Sequence, residues 1–256
     1  MEGNNIKNNE FSAQNIYDKD NFVEIYLETF KKPKVDRWGI FVSHLPKSLQ
    51  GMNVLELGCG SGNSASFLVE EGANHVTGYD ISQKMIELAK KSNEKNKNTT
   101  FEVKDLETLQ LPEQEYDLVL SLYTFHYIFN YEGLIQTIAK SLKPGGKLVF
   151  FVEHPVFTAS IEQPTWIERP TSGEKAWTVS NYFNEGKRVT NWISFDGVIK
   201  CHRTVSSYMQ TPINHGLTLT HFEEFCPSAQ LIEKDPKYIE NLNRPQYLNL
   251  SYTKKE

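Results

Sequence analysis

Residues 52–80 read MNVLELGCGSGNSASFLVEEGANHVTGYD, and no other stretch limits the fold as tightly. Val54, Leu55 and Leu57 form the short apolar run of a strand buried on both faces. Gly58, Gly60 and Gly62 follow at once, and glycine tolerates positive φ and close approach of a ligand to the backbone. Residues 64–71 read as a helix closed by Gly72. Residues 75–79 form the next strand, with Asp80 at its carboxyl end. Such a unit offers backbone N–H groups and a helix N-terminus to a ligand, and it places a carboxylate to grip a ribose.

The alternation continues. Ser82 is placed to cap a helix over 83–91, whose Met85, Ile86, Leu88 and Ala89 form the buried stripe. Residues 100–103 make a third strand leading to Asp105 and Leu106. Residues 116–122 (YDLVLSL) make a fourth, and 134–142 a helix with Ile135, Ile138, Ala139 and Leu142 on one face. Lys143-Pro144-Gly145-Gly146 then turns the chain into a fifth strand over 147–152. Alternating β and α elements predict a parallel sheet wound on both faces.

The flanks differ. Residues 1–15 are rich in Asn and poor in apolar side chains, the composition of a mobile tail. Helices are predicted from 22 to about 30 and over 37–45. Residues 153–200 are rich in Trp, Phe and Thr without helical periodicity. Segments 187–194 and 198–205 read as an antiparallel hairpin turning at Asp196-Gly197. A helix begins at 205, and 217–225 and 246–252 read as strands. The chain therefore divides into an N-terminal helical cap (1–50), a core (51–152), a β-rich lid inserted after the fifth strand (153–205) and a C-terminal completion of the sheet (206–256).

VLELGCGSGN, with GYDIS at 78–82, YDLVLSL at 116–122 and LKPGGKLVF at 142–150, resembles the class I S-adenosylmethionine-dependent methyltransferases over residues 50–152. SLYTFHYI, VEHPVFTA and KCHRTVSSYMQ resemble more loosely a subgroup of small bacterial, type 11-like methyltransferases. The resemblance implies an α/β, Rossmann-like seven-stranded sheet, mostly parallel, with helices on both faces and its last strand antiparallel. It also implies S-adenosyl-L-methionine as cofactor. Glu56, Gly58, Cys59, Gly60 and Gly62 would form the loop beneath the methionine part, Cys59 through its backbone. Asp80 would accept from the ribose hydroxyls and Ile81 would pack on the adenine. Asp105 would bond the adenine amino group beside Leu106, and Ser121 would offer its carbonyl to the cofactor's amino group. Tyr17 and Tyr26 would close over the cofactor. A dinucleotide site is the rival, but its third glycine is required where Asn63 stands.

His126 lies just past the fourth strand, at the edge where open α/β sheets receive ligands. It reads as a cofactor or acceptor contact, or as a packed histidine bonded to a backbone carbonyl. Glu153 and His154 end the fifth strand at the same edge, as candidates to orient or deprotonate an acceptor. Trp192 and His202 could help form the acceptor pocket. Arg203 could bind a substrate carboxylate through its planar fork or form a structural ion pair. The reaction implied is in-line methyl transfer to an oxygen, nitrogen or carbon of a small-molecule acceptor. A non-catalytic cofactor-binding regulator is the second reading, and macromolecule methylation or a nicotinamide oxidoreductase the remaining ones.

Composition narrows the partners. The net charge of −5, with Lys and Arg scattered, gives phosphates no track, so nucleic acid is not an expected partner. An Asn/Asp-Pro-Pro-Tyr/Phe motif does not follow the fourth strand. No apolar run reaches membrane-spanning length, and the N-terminus is polar, unlike a signal peptide. Cys59, Cys201 and Cys226 show no paired spacing, which fits a reducing cytoplasm. No His/Cys/Asp cluster at ligand spacing appears, so no metal is expected. His75 and His221 read as ordinary strand residues. Spacing fixes no oligomeric state.

Overall fold

The computed structural model describes residues 15–255 apart from 20, 31–36, 163–165 and 193–194. The expected tail lies almost wholly outside these residues. In chain order the elements are α1 (Phe22–Phe30), α2 (Arg37–Ser43), β1 (Asn53–Leu57), α3 (Asn63–Glu70), β2 (His75–Asp80), α4 (Gln83–Ser92) and β3 (Thr99–Val103). Then come β4 (Tyr116–Leu122), α5 (Tyr131–Ser141), β5 (Leu142–Glu153) and the single turn α6 (Pro155–Thr158). The hairpin strands β6 (Trp166–Glu168) with β7 (Lys175–Trp177), and β8 (Gly186–Trp192) with β9 (Phe195–His202), follow. The chain finishes with α7 (Val205–Asn214), β10 (Leu217–Glu224), α8 (Ala229–Lys234) and β11 (Tyr247–Lys254).

The main sheet has seven strands in the order β10-β11-β5-β4-β1-β2-β3. Pairing is parallel from β5 through β3, and β11 runs antiparallel between β5 and β10. Consecutive apolar residues serve opposite faces. Leu55, Leu57, Val119 and Phe150 pack against Ile135, Ile138 and Tyr208 on one side. Val54, Leu118, Leu120 and Phe151 pack against Phe41, Leu68 and Ile86 on the other. This is why the strands read as unbroken apolar runs rather than alternating ones.

Ser82 caps α4 as expected, its hydroxyl accepting from the Met85 N–H at 3.0 Å. The hairpin after β5 forms, but its turn is not at Asp196-Gly197. Trp192 already pairs with Phe195, and Asp196 and Gly197 lie within β9. The Lys-Pro-Gly-Gly bend belongs to β5 rather than preceding it.

The N-terminal segment packs on the β8–β9 hairpin. Ile16, Phe22 and Val198 form a small core of their own with Tyr17, Tyr26, Tyr127, Trp192 and Phe195, joining α1 to the β8–β9 hairpin. The Phe22 ring lies 4.4 Å from that of Phe195. Asp18 anchors this cap to α4, bonding the Ser82 hydroxyl at 2.6 Å and the Gln83 and Lys84 N–H groups at 3.1 Å. Burial alone would raise the Asp18 carboxyl, but these three donors and the Asn15 amide together hold it below its ordinary value.

Candidate active site

The sheet's carboxyl edge and the cap enclose a cavity of about 980 Å³. Gly58, Gly60, Asp80, Ile81, Asp105 and Leu106 line one part of it. Tyr17, Tyr26, His126, Glu153 and Trp192 line the rest with Tyr127, Lys200 and Arg244. Residues from the start, middle and lid of the chain therefore meet around one space.

At the glycine-rich loop, the Tyr79 carbonyl accepts from Gly58 at 2.7 Å and Cys59 at 3.0 Å, tying the loop to β2. The three glycines have different reasons. A Cβ on Gly58, at φ +77°, would stand 2.0 Å from Thr124 Oγ1, and one on Gly62 would stand 2.9 Å from the Ala89 Cβ. Gly60, at φ +52°, has nothing within 4 Å of that position and faces the cavity. Close packing thus demands two of them, and Gly60 leaves room beside the Asp80 carboxylate.

Asp80 is fixed by two backbone donors, Gly60 N–H to Oδ2 and Ser82 N–H to Oδ1, each at 2.9 Å. Burial raises its pKa, and the donors only partly oppose that. A carboxylate so held, with lone pairs left over at a cavity wall, suits a vicinal diol. Asp105 caps the short 3₁₀ turn that follows it, taking the Glu107 N–H on Oδ1 at 2.9 Å. Glu56 lies beneath the loop and not on the cavity wall. Its Oε1 accepts from the Ser64 hydroxyl, its Oε2 is buried without a hydrogen bond, and burial pushes its pKa up to about 7. Cys59 and Gly62 also sit behind the wall. Ser121 is fully buried there, its hydroxyl donating to the Leu57 carbonyl at 3.0 Å.

At the other part, Lys200 Nζ bonds both Glu153 carboxylate oxygens, at 2.6 and 2.7 Å, joining β9 of the lid to the end of β5. Burial opposes ionisation of Glu153, but the Lys200 charge prevails and holds its pKa below the usual value. His126 Nδ1 accepts the Glu153 backbone N–H at 3.3 Å. Burial drives the His126 pKa down to about 4, so the ring is neutral near pH 7 and carries its proton on Nε2. The packed alternative predicted a bond to a carbonyl; the ring instead accepts from an amide. The ring also lines the cavity.

Three further candidates are displaced from the cavity. His154 caps α6, with Nδ1 accepting from Val156 N–H at 3.0 Å, and its Nε2 meets Glu224 at 2.8 Å. His202 is held between the Thr158 hydroxyl at 2.8 Å and the Tyr182 carbonyl at 2.9 Å. Arg203 is not on the cavity wall and makes no ion pair with a glutamate among the described residues. Its guanidinium donates to the carbonyls of Phe125, Ile128 and Phe129 and lies over the Tyr131 ring. All three are satisfied inside the fold. Sequence reading missed Lys200, Asp18 and Arg244. Lys200 alone had a signal, a cation at a buried register of a strand.

A glycine-rich loop with an open Gly60 and a fixed Asp80 beside it fit a nucleoside-bearing cofactor at an α/β switch point. Comparison with known proteins narrows that class. The methyltransferase domain model matches residues 54–146. A solved S-adenosylmethionine-dependent methyltransferase from Mesorhizobium loti is 34% identical, with a TM-score of 0.79 over 86% of this chain and 98% of that one. A Haemophilus influenzae protein is 32% identical over 82% of this chain and 85% of its own length. Malonyl-[acyl-carrier protein] O-methyltransferase 2 of Ilyobacter polytropus is 36% identical, but the match spans only 43% of that protein. The chain belongs to the S-adenosylmethionine-dependent methyltransferases, and S-adenosylmethionine is its cofactor. Among the described residues no helix is long and apolar enough to cross a membrane.

Proposed function

We propose that this methyltransferase acts on a small molecule held under the α1–lid cap. The observation that carries the reading is one cavity with two chemically distinct ends, Asp80 at one and the Glu153–Lys200 pair at the other. About 980 Å³ exceeds what a cofactor of that size fills, near the upper end of small-molecule sites.

In this reading Asp80 accepts from the ribose hydroxyls, Ile81 and Leu106 flank the adenine, and Asp105 accepts from its amino group. Gly60 lets the loop backbone approach. Tyr17 and Tyr26 close the cap from the N-terminal side. When bound, the cofactor supplies an electrophilic methyl group. The protein's own contribution is alignment and exclusion of water, and well-oriented reactants gain on the order of 7–11 kcal/mol from proximity. No strong base faces the cavity among the described candidates. His126 offers a donor, and Glu153 is held anionic by Lys200 and is a weak base. The acceptor therefore brings its own lone pair or arrives as an anion, which the Lys200 ammonium stabilises. The O-methyltransferase among the relatives supports an oxygen acceptor.

Incubation with methyl-labelled S-adenosylmethionine and a fractionated cell extract tests this. Label is expected in the low-mass fraction. Label confined to the protein or RNA fraction contradicts the acceptor class. Stoichiometric cofactor binding with no transfer to any fraction favours the regulator.

A further inference from the structure

His44, His221 and Glu223 converge outside the cavity. His44 follows the last turn of α2, and His221 and Glu223 are alternate residues of the edge strand β10, so both point to one face. The β10–β11 register shifts between Leu219 and His221, and such a bulge re-aims the side chains that follow. The two imidazole rings lie 4.5 Å apart. His44 Nε2 stands 2.7 Å from Glu223 Oε2, and His221 Nε2 stands 3.6 Å from the same oxygen. One ligand atom from each residue falls within 4.8 Å of the other two.

Three ligands around a tetrahedral zinc ion, at bonds near 2.0–2.1 Å, stand roughly 3.3 Å from one another. The cluster is within small side-chain adjustments of that spacing. A second observation points the same way. The His44 side chain is only 5% exposed, and its Nε2 is buried without a hydrogen bond although the Glu223 oxygen is close. A buried ring nitrogen facing a carboxylate oxygen calls for a cation or a proton between them.

The geometry points to a divalent transition-metal site, suited to zinc, formed by His44 Nε2, His221 Nε2 and the Glu223 carboxylate, with its fourth position open to solvent. Two imidazoles and one carboxylate favour zinc-like ions over magnesium or calcium. The ion ties α2 to the sheet edge. Phe41 of α2 lines the cavity, and its ring meets Phe151 at 5.8 Å, so the site braces one cavity wall without entering it. The residues are 177 positions apart in part, which is why no ligand spacing shows in the sequence.

Tag-free protein stripped with a chelator and titrated with zinc chloride in a calorimeter should bind one equivalent with a Kd of about 1 μM or tighter. His221→Gln and Glu223→Gln should each weaken that affinity by at least about tenfold, since each removes one of three ligands. Both side chains are close to half exposed, so the variants should fold. Zinc should raise the melting temperature of the wild type and not of the variants. On the wild type alone, cobalt(II) should give the intense visible absorption of a four-coordinate site. No stoichiometric zinc binding, affinity unchanged in both variants, or a purely octahedral cobalt spectrum would overturn the assignment and leave a proton-bridged His–Glu contact.

Discussion

Arg203→Ala should destabilise the protein by about 3 kcal/mol or more while leaving the cofactor affinity of the folded fraction close to wild type. The guanidinium reaches the Phe125 carbonyl at 3.4 Å and the Phe129 carbonyl at 3.0 Å, and it bonds that of Ile128 between them. Alanine strands these buried acceptors without donors and removes a cation 4.9 Å from the Tyr131 ring centre. The carbonyls border the 3₁₀ turn that carries His126, so the clamp sets one cavity wall from behind. Arg203→Lys should recover little, because an ammonium cannot fork across three carbonyls. Urea unfolding, paired with calorimetric titration of S-adenosylhomocysteine, separates the roles. A raised acceptor KM with unchanged unfolding would instead make Arg203 a substrate anchor.

Asp80→Ala should weaken S-adenosylhomocysteine binding at least tenfold, roughly 1.4 kcal/mol or more, with the fold retained. The side chain carries two tasks. Its free lone pairs face the cavity, and its Oδ2 holds the Gly60 N–H that shapes the loop. Alanine loses both, whereas asparagine keeps one acceptor and should fall between. Burial raises the Asp80 pKa in the unliganded protein, and only the ionised form accepts from both ribose hydroxyls. Affinity should therefore be full at neutral pH and fall as pH drops, beginning above the ordinary carboxylate range. Isothermal titration across the acid limb reads this. In Asp80→Ala that limb should disappear.

The β1–β5 framework was legible because β1, β4 and β5 are apolar on both faces and the boundaries carry their own punctuation, such as Ser82 before α4. The glycine loop was legible too, although its glycines divide between packing, at Gly58 and Gly62, and open approach, at Gly60. The roles of the polar side chains beyond β5 were not. His154, His202 and Arg203 are polar side chains near the right edge, and sequence cannot show whether a polar group faces a ligand or a buried backbone carbonyl. In each case a local partner, Glu224, Tyr182 or Ile128, had already claimed it. Lys200 lay one residue before Cys201 in the same segment, and only the pairing of β8 with β9 turns it inward to Glu153. Asp18 had no signal, because its partners at Ser82, Gln83 and Lys84 are more than sixty residues away.

A crystal structure with S-adenosylhomocysteine would decide how the cavity is divided between cofactor and acceptor. The ribose hydroxyls should lie within hydrogen-bond distance of the Asp80 carboxylate and the adenine beside Ile81 and Asp105. The sulfur should open toward the part of the cavity lined by His126, Glu153 and Lys200. A ligand bound with its ribose away from Asp80, or with its sulfur turned from that pair, would contradict the account.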